Sequence, residues 1–193
     1  RREQPCPTCA PVPYIDPLLL EDTFVRLYGP GATGQITPWR VTSFTFSQLG
    51  QYLNTYPQAS TPTPSEEQPT PTPTPGLIEL ALQNADWVIF VMLDPTDDPP
   101  QSGAVRRFLA EQADALSDPH LVVLACDAPY YLDATEISKL SAYYVAYSRI
   151  EPFIEASVRA IFGEFALTGS PPVSVPGINY DLVVQPSPDP EQI

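Results

Sequence analysis

The sequence predicts an α/β fold: a three-layer sandwich with a mostly parallel sheet and helices on both faces, interrupted by a Thr/Pro-rich insert. Three observations predict it. Continuous apolar runs of strand length recur at "DWVIFVML" (86–93), "HLVVLA" (120–125) and "AYYVAYS" (142–148). Between them lie segments with apolar residues on one helical face. Strands that are apolar throughout are covered on both sides, as parallel sheets are.

In chain order, "IDPLLLEDTFVRLYG" reads as a helix. Asp16 is its cap, Pro17 fits its first position and Gly29 ends it, while Leu20, Phe24, Leu27 and Tyr28 share a face. "PGATGQ" is a turn. "WRVTSFTF" alternates Val41, Ser43 and Thr45 against Thr42, Phe44 and Phe46, which predicts a strand, and "SQLGQYL" a short helix capped by Ser47. "LIELALQNA" is a short helix, "DPTDDPPQS" a loop and "GAVRRFLAEQADALS" a helix burying Val105, Phe108, Leu109 and Leu116. "DATEISKLS" is a short helix capped by Asp133 or Thr135. "EPFIEASVRAIFGE" is a helix opened by Pro152 and closed by Gly163, with Phe153, Ile154, Val158, Ile161 and Phe162 on one face. "PPVSV" (171–175) reads as a short edge strand, confined to the margin by its prolines.

One domain is expected over 1–185, followed by a polar tail or linker to a further domain over 186–193. Twenty-six prolines in 193 residues force stiff, extended connections, and the densest lie in the low-complexity insert at 57–76. Alternating Thr-Pro can join neither helix nor ladder. The insert reads either as a solvated polyproline-type loop or as a mucin-like segment with sugars on Thr61, Thr63, Thr70, Thr72 and Thr74.

Nine basic against 23 acidic residues give a net charge of −14. A phosphate backbone would be repelled, so nucleic acid is excluded as a partner, and anionic lipid is disfavoured for the same reason. No apolar run approaches the roughly 20 residues of a membrane span, so membrane insertion is not expected. The opening "RREQPCPTC" reads as the start of a mature or excised piece.

Cys6 and Cys9 have C-x-x-C spacing. Zinc would need two more ligands, for which only His120 and Cys126 remain. A redox pair would sit at a helix N-terminus after a strand, and here prolines flank it. A local disulfide or simple thiols are the plainer readings. Cys126 ends an apolar run and reads as an inert core thiol.

In parallel sheets ligands gather outside the carboxyl ends of the strands. The loops beginning at Asp94, Asp127 and Ser148 occupy those ends, so "CDAPYYLD" (126–133) is the first place to look. No glycine-rich phosphate loop follows any strand, and no cofactor is expected. His120, the lone histidine, precedes its strand and stands at the wrong end to serve a hydrolytic triad. Asp94, Asp97, Asp98, Asp127 and Asp133 could pair for glycoside hydrolysis, but aspartates beside prolines ordinarily make turns. Tyr130, Tyr131, Tyr143, Tyr144 and Tyr147 could stack on sugar rings or pack within the sheet.

The stretch from Leu121 to Leu182 resembles the C-terminal α/β domain of family 3 glycoside hydrolases. Ala128, Pro129 and Tyr130 match its G-x-P-Y-D-L turn, and Tyr147 and Ser148 its "YS". Phe162, Gly163 and Glu164 match its "LFGE" helix end. Gly169, Pro172, Val173, Ser174, Val175 and Pro176 match "G-x-L-P-V-S-V-P". "RLYGP", "PWRVTSF" and "APYYLDATEISKL" also have counterparts in its secreted N-acetylhexosaminidase branch.

The resemblance implies a secreted parent whose nucleophilic aspartate and His-Asp acid/base pair lie in a separate barrel, none of it in these residues. No catalytic residue carries over, and the chain alone is expected to be inactive. The family domain also begins with a strand that would precede Arg1. The expected role is an extracellular accessory domain supporting the catalytic barrel of the same parent chain. Asp127, Tyr130, Tyr131 and Ser148 are candidates to line its carbohydrate cleft. The alternative is a structural, filament-forming subunit that self-assembles with identical copies and takes a neighbour's strand at a vacant sheet edge.

Overall fold

A computed structural model describes residues 2–3, 6–9, 12–13, 15–16, 18–55, 76–93, 101–113, 116, 119–127, 129, 132–167 and 169. Its order is β1 (Arg2–Glu3), β2 (Val12–Pro13), α1 (Leu19–Tyr28), a 3₁₀ turn (Pro38–Arg40), α2 (Phe46–Thr55), α3 (Leu77–Gln83) and β3 (Trp87–Met92). There follow α4 (Gln101–Glu111), β4 (His120–Ala125), α5 (Ala134–Ile137), β5 (Ala142–Val145) and α6 (Glu151–Ile161). The expected insert up to Pro75, the loop at 94–100, the strand at 171–175 and the tail at 186–193 lie outside the described residues.

The α/β class is as the sequence predicts. β3, β4 and β5 form a parallel sheet in that order, with Met92 beside Ala125 and Ala125 beside Val145 on the last shared rung. Residue parity sorts the two faces. Phe90, Met92, Leu121, Val123 and Ala125 pack with Leu49 and Leu53 of α2 and with Val105, Phe108 and Leu109 of α4. Leu124 and Cys126 pack on the other face with Ile154 of α6. Ile89 meets Val158 of α6 and Phe24 and Tyr28 of α1 there. Two-sided cover explains why these strands read as unbroken apolar runs.

Local chemistry sets the helix ends. Gly163, at φ +70°, closes α6: its N–H bonds the Ala160 carbonyl and the Glu164 N–H reaches that of Arg159. This is the Schellman pattern, which favours glycine at the left-handed position. Asp133 caps α5, its carboxylate accepting from the N–H groups of Thr135 and Glu136 while Glu136 bonds back to the Asp133 N–H. Asp16 accepts from the Leu18 N–H at 2.9 Å just before α1, whose capping position is Leu18.

Four expectations are corrected. Residues 41–45 are not a strand. Thr45, not Ser47, begins α2: its hydroxyl accepts from the Gln48 N–H, and Gln48 Oε1 accepts from the Thr45 N–H at 2.8 Å. This reciprocal box outweighs the weak alternation. α4 ends at Glu111, and Leu116 packs on the core from beyond it. Phe153 is 46% exposed and leaves the buried face of α6 to Ile154 and Val158.

Ahead of α1, β1 and β2 pair antiparallel, Arg2 opposite Pro13 and Glu3 opposite Val12. Cys6 and Cys9, between them, are joined by a disulfide.

Candidate functional site at the carboxyl edge of the sheet

The polypeptide leaves β4 and β5 side by side. The Cys126 N–H still bonds the Met92 carbonyl and the Ala146 N–H that of Ala125, both at 2.8 Å. The ladder therefore runs one residue past the strands before the chain turns away. Asp127 follows at once and is exposed; Ser148, two residues beyond Ala146, is half-buried. These two candidates come from adjacent strand ends. Tyr130 and Tyr131 lie outside the described residues, as do Thr61, Thr63, Thr70, Thr72 and Thr74.

The turn is rooted from below. Pro129 is buried, Leu132 is 6% exposed within the core that holds Phe108, and Asp133 fixes the next helix. Cys126 is buried, and burial with the neighbouring Asp127 charge pushes its thiol up to about 11. A thiol so held stays protonated at neutral pH and is a poor nucleophile. His120 is exposed at the opposite end of β4, its ring 4.6 Å from that of Trp87. It cannot serve chemistry at Asp127.

The sequence offers Tyr147 as a ring that stacks on sugar or packs within the sheet, but not its backbone conformation. Tyr147 has φ +54° and is 42% exposed, between β5 and α6. A bulky residue in left-handed backbone is uncommon, and such strain concentrates at functional positions. The "YS" match pointed at this position, but φ is not legible from residue type. Exposed Ile150 and Phe153 follow it into α6.

A second feature runs along the outer side of α6. A shallow depression of about 410 Å³ is lined by Glu151, Pro152, Glu155, Ala156, Arg159 and Phe165. Arg26 of α1 bonds Glu155 at 2.8 Å, Arg159 bonds Glu155 at 2.9 Å and Glu164 at 2.8 Å, and Glu164 accepts from the Tyr28 hydroxyl at 2.7 Å. Hydrogen bonds from Arg26 and then Arg159 hold the Glu155 carboxyl below its ordinary range. Those from Tyr28 and then Arg159 do the same for Glu164. Carboxylates kept ionised in this way are unsuited to general-acid work at neutral pH. Among the described residues no group of three or more His, Cys, Asp and Glu is placed to hold a metal. None of the described helices is long and apolar enough to cross a membrane.

Fold and site together define the class: an α/β domain that offers an exposed carboxylate, a half-buried hydroxyl and a strained tyrosine at the carboxyl edge of a parallel sheet. Compared with family models, curated proteins and solved structures, the chain matches none of them.

Proposed function

We propose that this chain is a non-catalytic accessory domain of a secreted family 3 glycoside hydrolase-like protein, buttressing the catalytic barrel and lining its sugar cleft. The observation that carries the reading is the pairing at the carboxyl edge. Asp127 and Ser148 lie just past adjacent strand ends, Asp127 on the turn anchored by Pro129 and Leu132 and Ser148 next to the exposed Tyr147. Carboxylates and hydroxyls that accept from sugar hydroxyls, beside an aromatic ring, are the usual furniture of a carbohydrate subsite. The motif matches at 128–130, 147–148 and 162–164 support the lineage. The Cys6–Cys9 disulfide supports an oxidising, extracellular setting.

Intact mass of the native protein tests this directly. A barrel adds about 250 residues to the 21.2 kDa of this chain. A mature protein of only 21.2 kDa would overturn the reading. With the parent in hand, Asp127→Ala should raise KM for an N-acetylglucosaminide and leave kcat within about twofold, as expected of a group that binds without taking part in the chemistry.

One observation favours a second reading, a self-assembling extracellular subunit. Among the described residues β3 pairs with β4 alone, so its outer side is a candidate for strand addition by another copy. Electron microscopy of native material showing only dispersed particles would remove it.

A further inference from the structure

Among the described residues φ is positive at Gly34, Gly163 and Tyr147. The two glycines, at +71° and +70°, enter the left-handed region without steric cost. Tyr147, at +54°, carries a Cβ that crowds the backbone there and lowers stability. Burial does not explain the choice of residue, because Tyr147 is 42% exposed. Tyr143 and Tyr144, just upstream on β5, instead pack against the cores on the two faces of the sheet. A tyrosine held where glycine would serve, with its ring at the surface, points to contact with something outside the fold.

We propose that Tyr147 is the stacking platform of a subsite for a neutral pyranose, with Asp127 as its polar edge. The inference deepens the cleft-lining reading and rests on it for placing carbohydrate at this end of the sheet. Register brings the two residues close. Ala125 and Val145 share the last rung, and the Ala146 N–H bonds the Ala125 carbonyl at 2.8 Å. Asp127 and Tyr147 each stand two residues past that rung, on neighbouring strands whose backbones run about 5 Å apart. Both residues are exposed. Ser148 follows, its hydroxyl accepting from the Ile150 N–H at 3.4 Å and keeping a proton to donate.

The class of ligand follows from what these groups offer. A pyranose has an apolar face of C–H bonds that lies on an aromatic ring, and hydroxyls at its rim that donate to a carboxylate. One ring and one carboxylate on neighbouring strands meet both demands. Charge narrows the class further. At a net charge of −14, with Asp127 in the subsite, uronic acids, phosphates and nucleotides are repelled, and neutral sugars are not.

The test sets affinity against stability. Calorimetric titration of the intact protein with N,N′,N″-triacetylchitotriose should show binding. Tyr147→Ala and Tyr147→Gly both remove the ring and should weaken that binding about tenfold, whereas Tyr147→Phe keeps the ring and should change it less than about twofold. Tyr147→Gly should nevertheless melt about 2–4 °C above Tyr147→Ala, because glycine alone relieves the backbone. Affinity would then follow the ring and not the stability, which a merely structural role does not produce. No binding by the intact protein, undiminished binding by the two ring-free variants, or equal melting of those two overturns the inference. So does equal affinity for trigalacturonate at low ionic strength. Intact mass keeps the subsite separate from the parent reading: ring-dependent binding by a mature protein of 21.2 kDa sinks the barrel and sustains the subsite. A barrel-bearing parent whose binding is indifferent to Tyr147→Gly does the reverse.

Discussion

The Tyr28 hydroxyl donates to Glu164 at 2.7 Å while the Tyr28 ring stacks on Phe162, with centroids 3.7 Å apart and planes within 7°. One side chain thus joins the end of α1 to the end of α6 twice, by polar and by aromatic contact. Burial, then the Glu164 hydrogen bond and charge, push the Tyr28 phenol up to about 12. Its folded value lies above the unfolded one, so the stability it contributes is intact below about pH 10 and is lost as pH rises toward 12. Absorbance titration of the ten tyrosines should show one that ionises late, and Tyr28→Phe should remove it. The same variant should melt a few degrees lower.

On the acid side the sign is opposite. Glu155 and Glu164 are held below their ordinary values by Arg26, Arg159 and Tyr28. Their contribution is present above the unfolded carboxylate range, near pH 4.5, and is lost as pH falls through the depressed folded values. Melting temperature followed from pH 6 to pH 3 should decline, and Glu155→Gln should flatten part of that decline. An unchanged profile would mean that solvent screens the network away.

Phe108 is fully buried and meets Phe90 edge-on at 5.2 Å. Phe108→Ala leaves a cavity between α4 and the sheet and should cost about 3–5 kcal/mol in urea unfolding. A loss below about 1 kcal/mol would show that the layers do not close on this ring.

Asp133→Ala removes the acceptor for two N–H groups of α5 and should cost about 1 kcal/mol. Asp133→Asn, which keeps an acceptor oxygen, should recover most of it. Failure of that recovery would assign the effect to charge rather than capping.

Thiol labelling separates the three cysteines. In the folded, unreduced protein iodoacetamide should add nothing, because Cys6 and Cys9 are bonded and Cys126 is buried and protonated. Denaturation without reductant should expose one site and denaturation with reductant three. Rapid labelling of the folded protein would contradict the burial of Cys126.

The sheet was legible in the sequence because each strand lies between two apolar layers, which leaves an unbroken run of Val, Leu, Ile and Phe. The capping of α5 was legible for a different reason: Asp133 and Glu136 stand at box spacing. The start of α2 was misread because Phe44 and Phe46 satisfy a strand pattern as well as a helix entry, and the bond between Thr45 and Gln48 decides between them. Phe153 shows the limit of helical spacing. It fits the apolar stripe of α6, yet that stripe is wider than the surface it covers. At the candidate site, Asp127 and Ser148 could be found as strand ends. The φ of Tyr147 could not, and neither could the bond from Arg26 to Glu155, 129 residues along the chain.

The internal pairing of cations has a consequence for encounters with other molecules. Arg26, Arg40, Arg106, Arg107 and Arg159 each face a carboxylate of their own chain, and Lys139 Nζ bonds the Leu109 carbonyl at 2.7 Å. Among the described residues these six basic side chains are thereby paired within the chain, several of them at the surface. With a net charge of −14, identical copies hold one another off at low ionic strength. Only when salt shortens the Debye length to about 10 Å or less can two such surfaces meet on the strength of their apolar contacts. Neutral sugars, by contrast, approach at any salt concentration.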